Sequence, residues 1–449
     1  MRFLLTSIIA LVSSPLIHAA SSATGYLHPA RSLFSRSALH KRFASNNSHV
    51  QVDGAVCTVT AIGGGEDDGP NLLYAFNLCN TDALINLPSY YQVDTVLNTY
   101  LHNVEVRLTG GIAYKPDIAY WSPNSIYLTY QNATTYWFFS GDSVTFHGGG
   151  TIDANGQTWW DYFALNPNAG VAGGSSRTFA RPIPLTVGNA SNIVVQDISI
   201  INSPFWTNFV YQSKNITYDS IRIRALSSNA SAPAANSDGW DIYRSDSVTI
   251  SNSNIVNDDD WRVFVSFKPN CTNMLVENLV CNGSHGVSVG SLGQYYGEVD
   301  IVANILVRNI SMMNAQNGAR IKVFGGSNDT HSVSGGGTGY VNNVTYQDFN
   351  NTNVDNPILI TQCYESTLAQ CAITPATLTI SNVHFINVVG TASGVVANNT
   401  VATLECSAMC QNITATGTSL RPHNGTTEQF LCANLANESL LDFNCTNVE

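Results

Sequence analysis

The sequence is poor in charge, and the charge it has is lopsided. Only 11% of the 449 residues are Asp, Glu, Lys or Arg, with 19 basic against 31 acidic residues and a net charge of −12. No basic stretch could neutralise a run of phosphates, which excludes nucleic acid as the partner. An anionic substrate would need a local cluster of Lys and Arg set against the overall field. Beyond the first twenty residues no apolar run is long enough to cross a bilayer, so no membrane partner is expected. The ten cysteines contain no Cys-x-x-Cys pair and the histidines no His-x-x-x-His, so neither a metal nor a cofactor is expected.

What is present points to export. Arg2 precedes an apolar stretch at residues 3–16 and the small residues Ala19-Ala20-Ser21, the pattern of a signal peptide spanning residues 1–19. A pro-segment over residues 20–42 would end at the dibasic Lys41-Arg42. Sixteen Asn-x-Ser/Thr sequons, among them Asn132, Asn189, Asn215, Asn309, Asn343 and Asn412, suit a secreted, extracellular glycoprotein. The cysteines fall into close pairs: Cys57/Cys79, Cys271/Cys281, Cys363/Cys371, Cys406/Cys410 and Cys432/Cys445. Small loops closed in this way make sense as five disulfides in an oxidising compartment.

From about residue 100, short β-branched runs recur every twenty to thirty residues, as in Val144-Thr145-Phe146, Ile193-Val194-Val195, Ile216-Thr217-Tyr218 and Val248-Thr249-Ile250. A sandwich or barrel of equally short strands would be better suited by repeats of about ten residues. The longer period predicts an all-β fold, a single right-handed parallel β-helix (a solenoid) over residues 43–449, with inward apolar residues stacked coil on coil and Asn ladders at the corners. The apolar spacing of residues 68–85 predicts a short N-terminal capping helix. The Cys432/Cys445 pair is expected to tie down the other end.

Four polar clusters then stand about one coil apart: Asn236-Ser237-Asp238, Asp258-Asp259-Asp260, Gly283-Ser284-His285-Gly286 and Arg320-Ile321-Lys322. Each alone reads as a turn or a solvated loop. Residues one coil apart on one face lie about 4.8 Å from each other, so together they predict one patch of acids, imidazole and cations. Two carboxyl groups in different protonation states are what inverting glycoside hydrolysis requires, and cations suit the carboxylate of a uronic acid.

These motifs, in this order, resemble the four signatures of glycoside hydrolase family 28, the polygalacturonases. The stretch from Gly283 to Tyr295, together with Phe267-Lys268-Pro269-Asn270 and Gln362-Cys363-Tyr364, is similar to the fungal exo-acting branch. The resemblance implies a metal-free, inverting enzyme that removes galacturonate from the non-reducing end of de-esterified pectin, with pectic polysaccharide as partner and a monomer as the working form. It implies Asp259 as general acid, Asp238 and Asp260 as the groups that hold and activate water, and His285 as the residue that tunes or orients the site. Arg320 and Lys322 would grip the carboxylate, and Asn236, Lys268 and Gln294 would add substrate contacts.

The chain departs from the family at one place. Where exo-type relatives read Asn-Gly-Asp-Asp-Cys and pass straight into the Ser-Phe-Lys-Pro strand, residues 257–269 are three longer and lack the Cys. The extra residues must be absorbed as a bulge or loop, which leaves the acid pair as Asp259/Asp260 or Asp258/Asp259. The missing Cys is the family's partner for Cys281, and Cys271 stands where relatives carry Ser, so a replacement Cys271–Cys281 bridge is expected. Alternative activities are exo-hydrolysis of rhamnogalacturonan or xylogalacturonan, calcium-dependent lyase chemistry on the same fold, and a polysaccharide-binding β-helix without catalysis.

Overall fold

The computed structural model describes residues 46–166, 180–257, 264–283, 285–396 and 399–447. The signal peptide and pro-segment assigned above lie outside these residues, as do Asp258, Asp259 and Asp260. The described chain winds into a parallel β-helix: 28 strands join in one continuous sheet, and apart from the opening antiparallel pair Val50–Asp53 with Val56–Val59 its pairings are parallel.

Stacking of like on like makes the core. One row runs through Ala83, Val104, Val144, Ile193, Ile216, Val248, Met274, Ile305, Val344, Val383 and Ile413, each in register with the next. A second runs through Tyr91, Ile112, Ile152, Ile200, Ile223, Ile255, Cys281 and Met312. All are buried in one hydrophobic cluster, and burial of each aliphatic side chain contributes about 1.5–3 kcal/mol. The coils are less even than the sequence period suggests. Val104 follows Ala83 by 21 residues, but Ile193 follows Val144 by 49, because loops are inserted between strands without disturbing the stack.

The N-terminal end is covered by a helix, Gly69–Leu78, which buries Leu72, Ala75 and Phe76 and begins with Pro70 in its first turn. It is shorter than the 68–85 expected, because Thr81–Leu87 alternates buried and half-exposed residues and joins the sheet as a strand. Cys57–Cys79 ties the helix end to the first coil, and Cys432–Cys445 joins the last two strands. Phe443 stacks on Phe430 there, with ring centroids 4.0 Å apart. Three further short helices, Ile118–Asn124, Gln157–Leu165 and Leu368–Ile373, lie in the connections. Among the described residues no helix is long and apolar enough to cross a membrane.

Four of the five expected disulfides form; Cys271 and Cys281 do not pair and are buried thiols. They stand near opposite ends of one strand, Cys271–Asn282. Strand residues advance about 3.3 Å each, which carries the two far beyond the Cα separation of about 4.4–6.8 Å a disulfide can span. Each thiol has its own place instead. Cys281 is a rung of the aliphatic row between Ile255 and Met312. Cys271 extends a ladder in which Ser213 and Ser245 hydroxyls donate to Val187 and Val210 carbonyls (3.2 and 3.4 Å), its own Sγ lying 3.0 Å from the Ile242 carbonyl.

Candidate active site

On strand Trp240–Tyr243 the Trp240 and Ile242 side chains enter the core, so Asp241 and Tyr243 project from the outer face. The same alternation puts Ser266, Ser288 and Arg320 outward on the following coils, in register with Asp241. Lys268 and Lys322 follow two residues beyond Ser266 and Arg320, on that same face. Asp238 sits at the turn leading into this strand, where its carbonyl accepts from Thr207 N (2.7 Å). His285 occupies the equivalent turn further along, with Gly286 O accepting from Phe264 N (2.8 Å). Left-handed Gly283 and Gly286 make that turn possible: a Cβ on either would meet the carbonyl of Asn257 or Asn317 at about 2 Å.

The patch is unusual for charged residues, because Asp238, Lys268, His285, Arg320 and Lys322 are each at most 7% exposed and Asp241 is fully buried. Lys268 Nζ lies 3.0 Å from Asp241 Oδ1 and 5.2 Å above the Trp206 ring. Burial raises the Asp241 carboxyl, a push that the charges of Lys268 and Lys322 oppose. Burial would lower the Lys268 ammonium, but Asp241 and Asp238 more than offset it and raise it overall. Lys322 is different. Burial first, then the Arg320 and Lys268 charges, hold it well below the ordinary lysine range against the pull of Asp238 and Asp241. Arg320 Nη1 lies 3.5 Å from His285 Nδ1. Tyr364 caps both cations, its ring 5.5 Å from Arg320 Cζ and 5.2 Å from Lys322 Nζ.

Five of the residues picked out from sequence therefore meet: Asp238, Lys268, His285, Arg320 and Lys322. Asn236 stands at the edge, its Oδ1 accepting from Arg181 Nη2 (2.7 Å); Arg181 also donates to Ala235 O (2.6 Å). Gln294 Oε1 accepts from Gln131 Nε2 (3.2 Å) across 163 residues of sequence. That bond fastens a flap, strands Ile126–Tyr127 and Thr134–Thr135 with the turn between them, over the outer face. Tyr130 of the flap stacks on Tyr243 (centroids 3.9 Å apart) and packs with Trp206, Phe209 and Tyr211 in a separate apolar cluster. This wall stands directly beside the Asp241–Lys268 pair.

Sequence reasoning missed Asp241 as a site residue, along with the aromatic wall. Asp241 stands three residues after Asp238 and two before Tyr243, so strand alternation could have placed it outward; its pairing with Lys268 needed the register. Among the described residues no group of three or more His, Cys, Asp or Glu is placed to hold a metal ion.

Comparison with known proteins agrees with this geometry. Residues 83–440 match the family described as Glycosyl hydrolases family 28. A probable exopolygalacturonase X of Aspergillus fumigatus is 43% identical over 398 residues, 87% of this chain and 88% of the relative. An exopolygalacturonase of Cochliobolus carbonum is 43% identical, covering 87% and 86%. Among solved structures, the endo-xylogalacturonan hydrolase of Aspergillus tubingensis superposes with a TM-score of 0.77 at 30% identity, over 88% of this chain and 99% of that one. Family structures of this kind are right-handed parallel β-helices, the hand expected above. The chain belongs to glycosyl hydrolases family 28.

Proposed function

We propose that this protein is an exo-acting galacturonan hydrolase that cleaves α-1,4-galacturonosidic bonds of de-esterified pectin. The observation that carries the reading is the buried cationic patch beside Asp238. Among the described residues three cations, Lys268, Arg320 and Lys322, face two carboxylates, Asp238 and Asp241. Three basic side chains gathered out of water suit a uronate carboxylate, for which a charged partner is worth most there.

Asp259 is assigned as the acid that protonates the leaving oxygen. Asp238 and Asp260 deprotonate the water that attacks C1 from the opposite face, giving inversion. His285, close to Arg320, orients the site, and Arg320 and Lys322 hold the carboxylate of the sugar. The exo mode is read from the wall: Tyr130, stacked on Tyr243 and carried on the loop bonded through Gln131 to Gln294, is placed to bar one end of the cationic patch. A chain end fits against such a wall; a polymer passing through does not. The apolar leader, the sequons and four disulfides support an enzyme that works outside the cell.

The deciding experiment follows products from polygalacturonate over time. Monomer from the first minutes, with viscosity falling slowly, is expected. Early mixed oligomers would mean endo action, unsaturated products would mean a lyase, and no product would leave only binding. Asp259→Asn should lower kcat by about 10²–10⁴-fold; unchanged turnover would sink the acid assignment. Because the xylogalacturonan hydrolase is 30% identical, xylogalacturonan belongs in the same assay, and faster release from it would favour that substrate.

A further inference from the structure

The corners of the coils carry ladders of asparagines in the left-handed conformation, each donating its side-chain amide to the rung before it. One runs Asp142–Asn192–Asn215, with N–H···O distances of 2.7 and 2.6 Å. A second runs Asp219–Asn252–Asn278–Asn309, at 2.6, 2.9 and 2.7 Å. A third runs Asp246–Asn273–Asn304–Asn343, at 2.6, 3.0 and 2.9 Å, and Asn412 donates to Asn382 at 2.7 Å.

Sequons fall on some of the closing rungs. Asn215, Asn309, Asn343 and Asn412, each the last donor of its run, begin Asn-x-Ser/Thr sequences and are exposed, whereas the closing donors Asn103, Asn353 and Asn387 begin none. The left-handed rungs bonded on both sides, Asn192, Asn252, Asn273, Asn278, Asn304 and Asn314, never do. An amide NH₂ has two N–H groups and a carbonyl. An internal rung uses its carbonyl for the next coil, only about 4.8 Å away. A terminal rung does not: the next coil presents Ser247 beside Asn215 and Asp348 beside Asn309, while Asn382 starts a new pair beyond Asn343.

We propose that Asn215, Asn309, Asn343 and Asn412 carry N-linked glycans, and that each glycosylated amide still serves as the closing rung of its ladder. This rests on the reading that the chain is exported. In the transfer, the amide nitrogen bonds to C1 of an oligosaccharide activated as a lipid pyrophosphate. The C1–O bond breaks, the lipid pyrophosphate leaves, and one amide proton is released. The remaining N–H continues to donate to the preceding rung, so the sugar projects from the corner into solvent at no cost to the stack.

The test is glycopeptide mapping of the full chain secreted by a eukaryotic host behind the host's own leader, with a parallel sample behind residues 1–19. Sugar on the four asparagines is expected. Their peptides found bare while exposed Asn229 or Asn328 are modified, or all sequons found bare, overturns the proposal. Failure of secretion only behind residues 1–19 would fault the export reading alone. Ser311→Ala and Thr345→Val remove a sequon but keep its asparagine, whereas Asn309→Asp and Asn343→Asp remove both sugar and donor. The first pair should melt with the parent and the second about 1–2 °C lower. Equal melting of the two pairs overturns the ladder role.

Discussion

Lys268 Nζ and Asp241 Oδ1 stand 3.0 Å apart in a patch that excludes solvent from both, one coil separating their strands. The Asp238 charge also acts on Lys268, whose Nζ lies 5.2 Å from the centre of the Trp206 ring. The pair fixes a positive charge where a flexible, solvated lysine would otherwise wander, which is the kind of preorganisation that carboxylate recognition needs. Asp241→Asn leaves the ammonium buried without its partner, and a stability loss of about 3–5 kcal/mol is expected in denaturant unfolding. In the double variant Asp241→Asn/Lys268→Met most of that loss should return while KM for galacturonan stays raised. Recovery of KM together with stability would show that Lys268 does not touch substrate.

Lys322 gives a pH signature. Burial and the neighbouring Arg320 and Lys268 charges depress it in the free enzyme, whereas a bound galacturonate carboxylate favours its charged form. Binding should therefore take up protons, and KM should rise as pH climbs through the depressed free-enzyme value toward the ordinary lysine value of about 10.4. Below that window the cation is present and KM is flat. Lys322→Gln should raise KM at low pH and abolish the slope. Isothermal titration in buffers of different ionisation enthalpy reads the proton uptake directly, and none would refute the assignment.

The two thiols should respond in opposite ways to the same change. Cys271 continues a ladder of serine hydroxyls, so Cys271→Ser keeps a donor to the Ile242 carbonyl and should alter stability by less than about 1 kcal/mol. Cys281→Ser sets a hydroxyl into the aliphatic row between Ile255 and Met312 and should cost about 1–3 kcal/mol. Without reductant, the native protein should resist thiol reagents, since burial pushes the Cys271 thiol up to about 12 and raises Cys281 as well. Unfolding should release two thiols per chain; release of none would restore the bridge expected from sequence.

The contrast between these cysteines shows where sequence reading holds and where it stops. Stacked rows such as Val144, Ile193, Ile216 and Val248 were legible because each coil repeats the same alternation, so the fold followed from periodicity. Asp238, His285, Arg320 and Lys322 were legible because their motifs recur one coil apart. Sequence distance misled at Cys271 and Cys281, since ten residues of strand hold apart what ten residues of loop could bring together. The bond between Gln294 and Gln131 was not legible, because Gln131 comes from a loop that no local pattern connects to the motif stretch. Asp241 needed the register with Ser266 before its pairing with Lys268 could be seen.

The wall itself makes the sharpest functional prediction. Tyr130 contributes a ring stacked on Tyr243 and buried among Trp206, Phe209 and Tyr211, outside the main core of the coil. Replacing it with alanine removes contacts from a satellite cluster, so the β-helix should remain folded while the flap loosens; a large-to-small change of this kind costs about 3–5 kcal/mol when fully felt. Gln131→Ala removes only the latch to Gln294 and should cost far less. If the flap enforces attack at chain ends, Tyr130→Ala should yield mixed oligomers early in the digestion of polygalacturonate and a faster fall in viscosity. Gln131→Ala should shift the product profile in the same direction but less. The Asp238–Lys268–Arg320–Lys322 patch is untouched by either change, so hydrolysis itself should persist. Monomer as the sole early product from a folded, active Tyr130→Ala enzyme would show that another part of the groove confines it to chain ends.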